Sequence, residues 1–158
     1  MTMKKSENVD FIFEVMRMKL DHLFDASNVL DQKISVVVGF LATIVAGLAA
    51  FFSDHLYFQF CQFSINFFTS GILFLISAIL LCILAIATKK YYYPPDENHL
   101  YSDESLNSDL VDLKSQTVAD MRESFKHNHS THEGKAKLFN YSLWLSLIGL
   151  ILVLINFM

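Results

Sequence analysis

Three histidines and a glutamate fall within seven residues: His127, His129, His132 and Glu133. On a helix, His129, His132 and Glu133 share one face at i, i+3 and i+4, a spacing that can ligate zinc. The string His-x-His-x-x-His-Glu matches no hydrolase motif, and His127 points elsewhere, so we read the cluster as a solvated helix end beside Gly134. Lys114, Arg122 and Lys126 are the cluster best suited to an anionic ligand such as a phosphate, with Arg122 and Lys126 on a shared face. Residues 103–133 nevertheless carry seven acids against three bases. That is no basic groove, and surface i, i+4 pairs account for the same side chains. Gln59, Gln62, Asn66 and Ser70, with Ser77 further on, form a polar stripe that suits either a water path or hydrogen-bonding glue between helices. No glycine-rich phosphate loop, GxSxG, HExxH or Cys/His arrangement occurs, and Cys61 and Cys82 make no CxxC pair. The expectation is a protein that is not an enzyme and needs no cofactor.

The elements that would hold these residues are dominated by apolar blocks. The chain has 158 residues, 53% of them hydrophobic, and a net charge of -4. With no basic run of five or more, that charge gives no general attraction for nucleic acid. The first block, Ile34 to Phe52, carries no charge over 19 residues, enough to cross the roughly 30 Å hydrocarbon layer. It begins too late in the chain for a cleaved signal peptide. Within it Ser35, Gly39, Thr43 and Gly47 recur every fourth residue, a stripe that lets another helix backbone approach closely. Ahead of it, residues 6–33 read as an amphipathic helix. Val9, Phe13, Met16, Leu20, Leu23, Ser27, Leu30 and Ile34 make a coiled-coil-like seam. Neither Gly nor Pro separates that helix from the first span, so one continuous helix is expected.

Leu56 to Thr88 is uncharged, with Phe68 to Thr88 as the second span and an aromatic connection, 53–67, before it. Lys89 and Lys90 snorkel to the headgroups, Tyr91 to Tyr93 suit the interface, and Pro94-Pro95 ends the helix. The 89–137 loop should be mostly helical, with Ser102 as N-cap and Leu106, Leu110, Leu113, Thr117, Met121 and Phe125 as an apolar stripe. Its expected partner is the amphipathic helix of residues 1–33. Gly134 is a candidate interruption. The last span, 138–158, has Ser142, Ser146 and Gly149 as its own small-residue stripe. All twelve Lys and Arg fall in 1–33 or 89–137, which by the positive-inside rule places both segments in the cytoplasm. The fold class is therefore an all-α membrane protein: three transmembrane helices, 34–52, 68–88 and 138–158, with two long cytoplasmic helical extensions packed as a stalk. Apart from the Cys82 thiol and the Tyr141 phenol, the spans hold no ionisable side chain, which disfavours proton relays and ion-coupled transport.

The order of parts resembles a known family. An amphipathic helix meets an Asp-x-Lys junction, Asp31 and Lys33, that enters a small-residue span at Gly39. A second span and a helical loop follow, then Lys135-Ala136 and a last span. Over nearly the whole chain this is similar to the Pycsar transmembrane effector family of bacterial antiphage defence. The resemblance implies a bacterial inner-membrane protein kept quiet until infection, when a cyclic nucleotide (cCMP or cUMP) triggers it to damage that membrane. The chain has no separable cyclic-nucleotide-binding domain or phosphate cassette, so a ligand would have to sit on the cytoplasmic helices or between subunits of a homo-oligomer. Two alternatives stand beside this reading: a membrane-anchored interaction module for a separate sensor or enzyme, and a small ion channel using the Gln59, Gln62, Asn66 stripe.

Overall fold

The computed structural model describes residues 2–51, 67–87, 91–92 and 109–155. Three helices account for nearly all of them: α1, Thr2–Phe51; α2, Phe67–Ala87; and α3, Leu110–Ile155. There is no strand among the described residues. Each helix is long and apolar enough to cross a membrane, so the protein is an all-α membrane protein with three candidate spans. At 50 residues, α1 runs for about 75 Å, more than twice the hydrocarbon thickness, so only part of it fits within a bilayer. It passes through Asp31-Gln32-Lys33 without a break, as the lack of Gly and Pro there predicts.

α3 is just as continuous. Gly134 does not interrupt it: the helix spans the glycine, which is exposed and has no atom within 4 Å of where a Cβ would stand. A glycine in a helix interior lowers stability by about 1 kcal/mol relative to alanine, which the surrounding turns absorb. The helix opens on Asp109, whose carbonyl accepts from the N–H groups of Asp112 and Leu113 at 3.0 and 2.9 Å, and Asp112 sits in the positive first turn. Ser102 and Leu106 lie outside the described residues, as do Gln59, Gln62, Asn66, Lys89, Lys90, Tyr93 and Pro94-Pro95.

The chain divides into two compact units. A polar unit comprises residues 1–29 and 89–133; an apolar unit comprises residues 30–88 and 134–158. In the polar unit the amphipathic seam of α1 is the inward face: Leu20, Leu23 and Ser27 are buried, while Val9, Phe13 and Met16 are half-buried. Of the expected stripe on α3, Thr117 and Met121 are buried, Leu113 and Phe125 are half-buried and Leu110 is exposed; Asn128 and Thr131, which lie outside that stripe, are buried as well.

In the apolar unit the contacts fix helix directions. Ile34 packs with Cys82 and Ala85, flanked by Leu138 and Phe139. Leu41 packs with Leu75 and Ala78, flanked by Leu145 and Leu150. Thus α1 and α3 run parallel there, and α2 runs antiparallel to both. Buried positions on α2 step by threes and fours, Phe68, Gly71, Leu75, Ala78, Cys82 and Ala85, which is the spacing of knobs-into-holes packing. The outward faces carry Val36, Phe40, Leu73, Leu80, Trp144 and Leu154, large apolar side chains that lipid tails can solvate.

Candidate functional site: the cationic face of α3 and the polar pairs of the helix seam

The structure separates the three cations expected to act together. Lys114 is tied to Asp10 by an ion pair in the polar unit. Arg122 and Lys126 stay side by side, one turn apart and exposed. They line an open concavity with Ser115, Val118, Ala119 and Glu123. Two cations with a hydroxyl nearby can accept a phosphate, and Glu123 limits how much negative charge the face takes. One turn beyond, the Phe125 and His129 rings stack at 5.7 Å and 7°.

The histidines do not converge. His129 Nε2 lies 3.3 Å from Glu133 Oε1, an i, i+4 pair on the outside of α3. His127 sits edge-on to the Tyr92 ring at 4.6 Å. His132 turns the other way and leaves its Nδ1 buried with no hydrogen-bond partner. Among the described residues no three His, Cys, Asp or Glu side chains gather as a metal ion requires. The zinc spacing of His129, His132 and Glu133 is present in sequence but not in side-chain direction.

Two tyrosines after α2 are gripped by the polar unit. Asn128, fully buried, accepts from the Tyr92 backbone N–H at 2.9 Å and donates Nδ2–H to the Tyr92 carbonyl at 2.8 Å. This two-point contact satisfies the side-chain amide of Asn128, which would otherwise be costly to bury, with the backbone N–H and C=O of Tyr92. Tyr91 meets Ser27 through its hydroxyl and packs edge-to-face on Phe24 at 6.0 Å. Ser27, which reads in sequence as a gap in the apolar seam, is the residue that receives Tyr91.

At the head of the apolar unit, Asp31 and Lys135 form a second ion pair. Lys135 Nζ donates to both carboxylate oxygens at 3.0 Å, and the lysine is 4% exposed. Both residues belong to the sequence junctions, yet their pairing was not foreseen; Lys33, the other junction residue, is exposed. The offset is 104 residues, the same as between Asp10 and Lys114. That repeat is the signal that could have found it, because Asp10 and Asp31 are three heptads apart, as are Lys114 and Lys135.

Deeper in the apolar unit, Cys82 Sγ and Ser142 Oγ are 3.0 Å apart, and Ser142 also donates to the Phe139 carbonyl at 2.8 Å. α2 and α3 approach closely at Gly71 and Gly149. A Cβ on Gly71 would lie 2.7 Å from Val153 Cγ2 and 2.8 Å from the Gly149 carbonyl oxygen; one on Gly149 would lie 2.9 Å from the Gly71 carbonyl. Ser35, Gly39, Thr43 and Gly47 are all exposed on α1, and nothing approaches either glycine within 4 Å. Ser35 and Thr43 bond back to the Asp31 and Gly39 carbonyls at 2.9 and 2.8 Å, so their hydroxyls are satisfied within their own helix. Of the polar stripe Ser70 and Ser77 are described, half-buried and exposed respectively on α2.

Neither a curated protein nor a solved structure gives a significant match to this chain. A family model described as the Pycsar effector protein domain matches residues 15–158, which takes in the α1 seam from Met16 onward, both ion-paired lysines, the tyrosine grip and all three apolar segments. The chain therefore belongs to the Pycsar effector family and is a membrane-resident effector of bacterial antiphage defence.

Proposed function

We propose that the protein is a non-enzymatic effector that impairs the integrity of the bacterial inner membrane when an infection signal, a cyclic nucleotide, reaches it. The observation that carries this reading is the continuity of α1, a single helix whose first part has a water-facing polar surface and whose second part is uncharged and apolar. A change in how its first part is held must rotate or displace its second part, since a helix transmits torsion along its hydrogen-bonded backbone. The signal acts by favouring one packing over another. By the distribution of Lys and Arg, the N-terminal part and the 89–137 segment face the cytoplasm.

A phosphate-bearing trigger fits best at Arg122 and Lys126, since Lys114 is already engaged by Asp10. The stripe Ser35, Gly39, Thr43 and Gly47, outward-facing on α1, gives a second copy a close approach, so the active form is a homo-oligomer joined along that face. Infection or trigger addition should depolarise cells that express the protein, as read by a membrane-potential dye. Gly39→Leu should abolish that response while leaving the protein in the membrane fraction. Arg122→Gln with Lys126→Gln should abolish the response to trigger. An undiminished response from Gly39→Leu sinks the oligomer face.

A second reading, a membrane-anchored module that holds a separate sensor or enzyme, is favoured by Phe11, Ile12 and Met18, which are exposed on α1 ahead of the apolar block. Co-purification of a specific partner, with no dye release from liposomes and no depolarisation, would select it.

A further inference from the structure

Lys135 is the one buried charged side chain among the described residues. It holds the same heptad position on α3 as buried Met121, Asn128, Ser142 and Gly149. Two residues on, Lys137 is exposed. An ammonium at a seam position is less stabilising than an apolar side chain of equal length, and a methionine would fill the same space. Packing alone therefore gives no reason for a lysine here. The pairing makes the α1–α3 contact conditional instead. One turn beyond the ion pair lies the Ile34, Cys82 and Ala85 layer, so a slip of α3 along α1 would leave the ammonium facing apolar side chains and the carboxylate without its partner. The carboxylate is also the reachable half, with Asp31 36% exposed against 4% for Lys135.

We infer that Asp31–Lys135 is the latch that keeps the apolar unit closed in the quiet state, and that parting this pair is the step that releases it. The inference rests on the effector reading above. Removing the carboxylate takes from a 4%-exposed ammonium the charged group that pairs it with α1, which weakens the contact between the two helices at that level. Exchanging the two charges restores the attraction.

The test uses the full-length protein in membranes, with a water-soluble amine-acylating reagent as probe and mass spectrometry to compare Lys135 with Lys137. In the native protein Lys135 should be acylated at least about tenfold more slowly than Lys137. Asp31→Asn should bring the two rates within about twofold and should depolarise uninfected cells. Asp31→Lys combined with Lys135→Asp should return uninfected cells to a normal potential and keep the response to infection. Native Lys135 labelling as fast as Lys137 overturns the latch, and so does an Asp31→Asn protein that exposes Lys135 yet leaves uninfected cells polarised. If Asp31→Asn never reaches the membrane, the charge-exchanged variant decides: quiet and inducible supports the latch, and constant depolarisation or loss of induction overturns it. A native protein that protects Lys135 but never depolarises infected cells refutes the effector reading instead.

Discussion

The polar unit and the apolar unit solve the same packing problem with opposite materials. In the polar unit the seam between α1 and α3 buries Ser27, Thr117, Asn128 and Thr131 among a few large apolar side chains, and Asn128 and Ser27 secure the Tyr91–Tyr92 segment by hydrogen bonds. In the apolar unit the seam narrows to Gly71, Ala78, Ala85 and Gly149, and backbones touch. Water explains the contrast. Outside a membrane, burying leucines is favourable in itself, and polar pairs can be added to define register at some cost. Inside lipid, burying a leucine gains almost nothing, because the tails are equally apolar, so close approach of small residues supplies the stability. Register is thus set by hydrogen bonds in the polar unit, and in the apolar unit by shape between α2 and α3 and by the Asp31–Lys135 pair between α1 and α3.

Substituting Gly149 tests the shape half of that contrast most severely. Gly149→Val places a branched side chain against the Gly71 carbonyl and Leu75, and the backbone atom has no rotamer with which to yield. The expected loss is about 3 kcal/mol or more, read as early dissociation of helix contacts when purified protein is titrated with denaturing detergent. A loss under 1 kcal/mol would mean that α2 and α3 are not in backbone contact. In the polar unit, Asn128→Ala strands the Tyr92 N–H and C=O. It should destabilise by about 2 kcal/mol, seen as a lower thermal midpoint by circular dichroism, and no shift would remove the hydrogen-bond half of the contrast.

Smaller effects sharpen it further. Gly134→Ala meets open space and should stabilise α3 by up to about 1 kcal/mol through helix propensity; a destabilisation would show that the glycine is needed for a close contact. Lys114→Ala breaks an ion pair whose side chains are 36% and 49% exposed, so a double-mutant cycle with Asp10 should give only about 0.5 kcal/mol, decreasing with added salt.

Much of this was legible in the sequence because it depends on local pattern. The uncharged blocks gave three spans, and the three–four stepping of Leu20, Leu23, Ser27 and Ile34 gave the inward face of α1. Continuity followed from the absence of helix breakers. What escaped depends on residues far apart in sequence. Asp31 and Lys135 both stand out as junction residues, but no local pattern joins positions 104 apart; only the matching offset of Asp10 and Lys114, three heptads earlier, does so. Gly71 is an isolated glycine in an apolar run, and only the fold shows Gly149 against it. The stripe at Gly39 and Gly47 has better spacing than either, yet among the described residues nothing lies within 4 Å of where a Cβ on either glycine would stand. Small residues at regular spacing mark a permissive surface without saying which helix uses it. Arg122 and Lys126 were legible as a pair, but Lys114 was grouped with them because Asp10 lies 104 residues earlier.

The parallel course of α1 and α3 in the apolar unit has a consequence for biosynthesis. Asp31 leaves the ribosome 104 residues ahead of the lysine that neutralises it. While the second and third helices are still being translated, the first has to rest in the insertion machinery with its carboxylate held at the aqueous edge and its inner face turned to lipid. The counter-charge arrives only with α3, so a polypeptide whose synthesis stalls before Lys135 carries the Asp31 carboxylate without that partner.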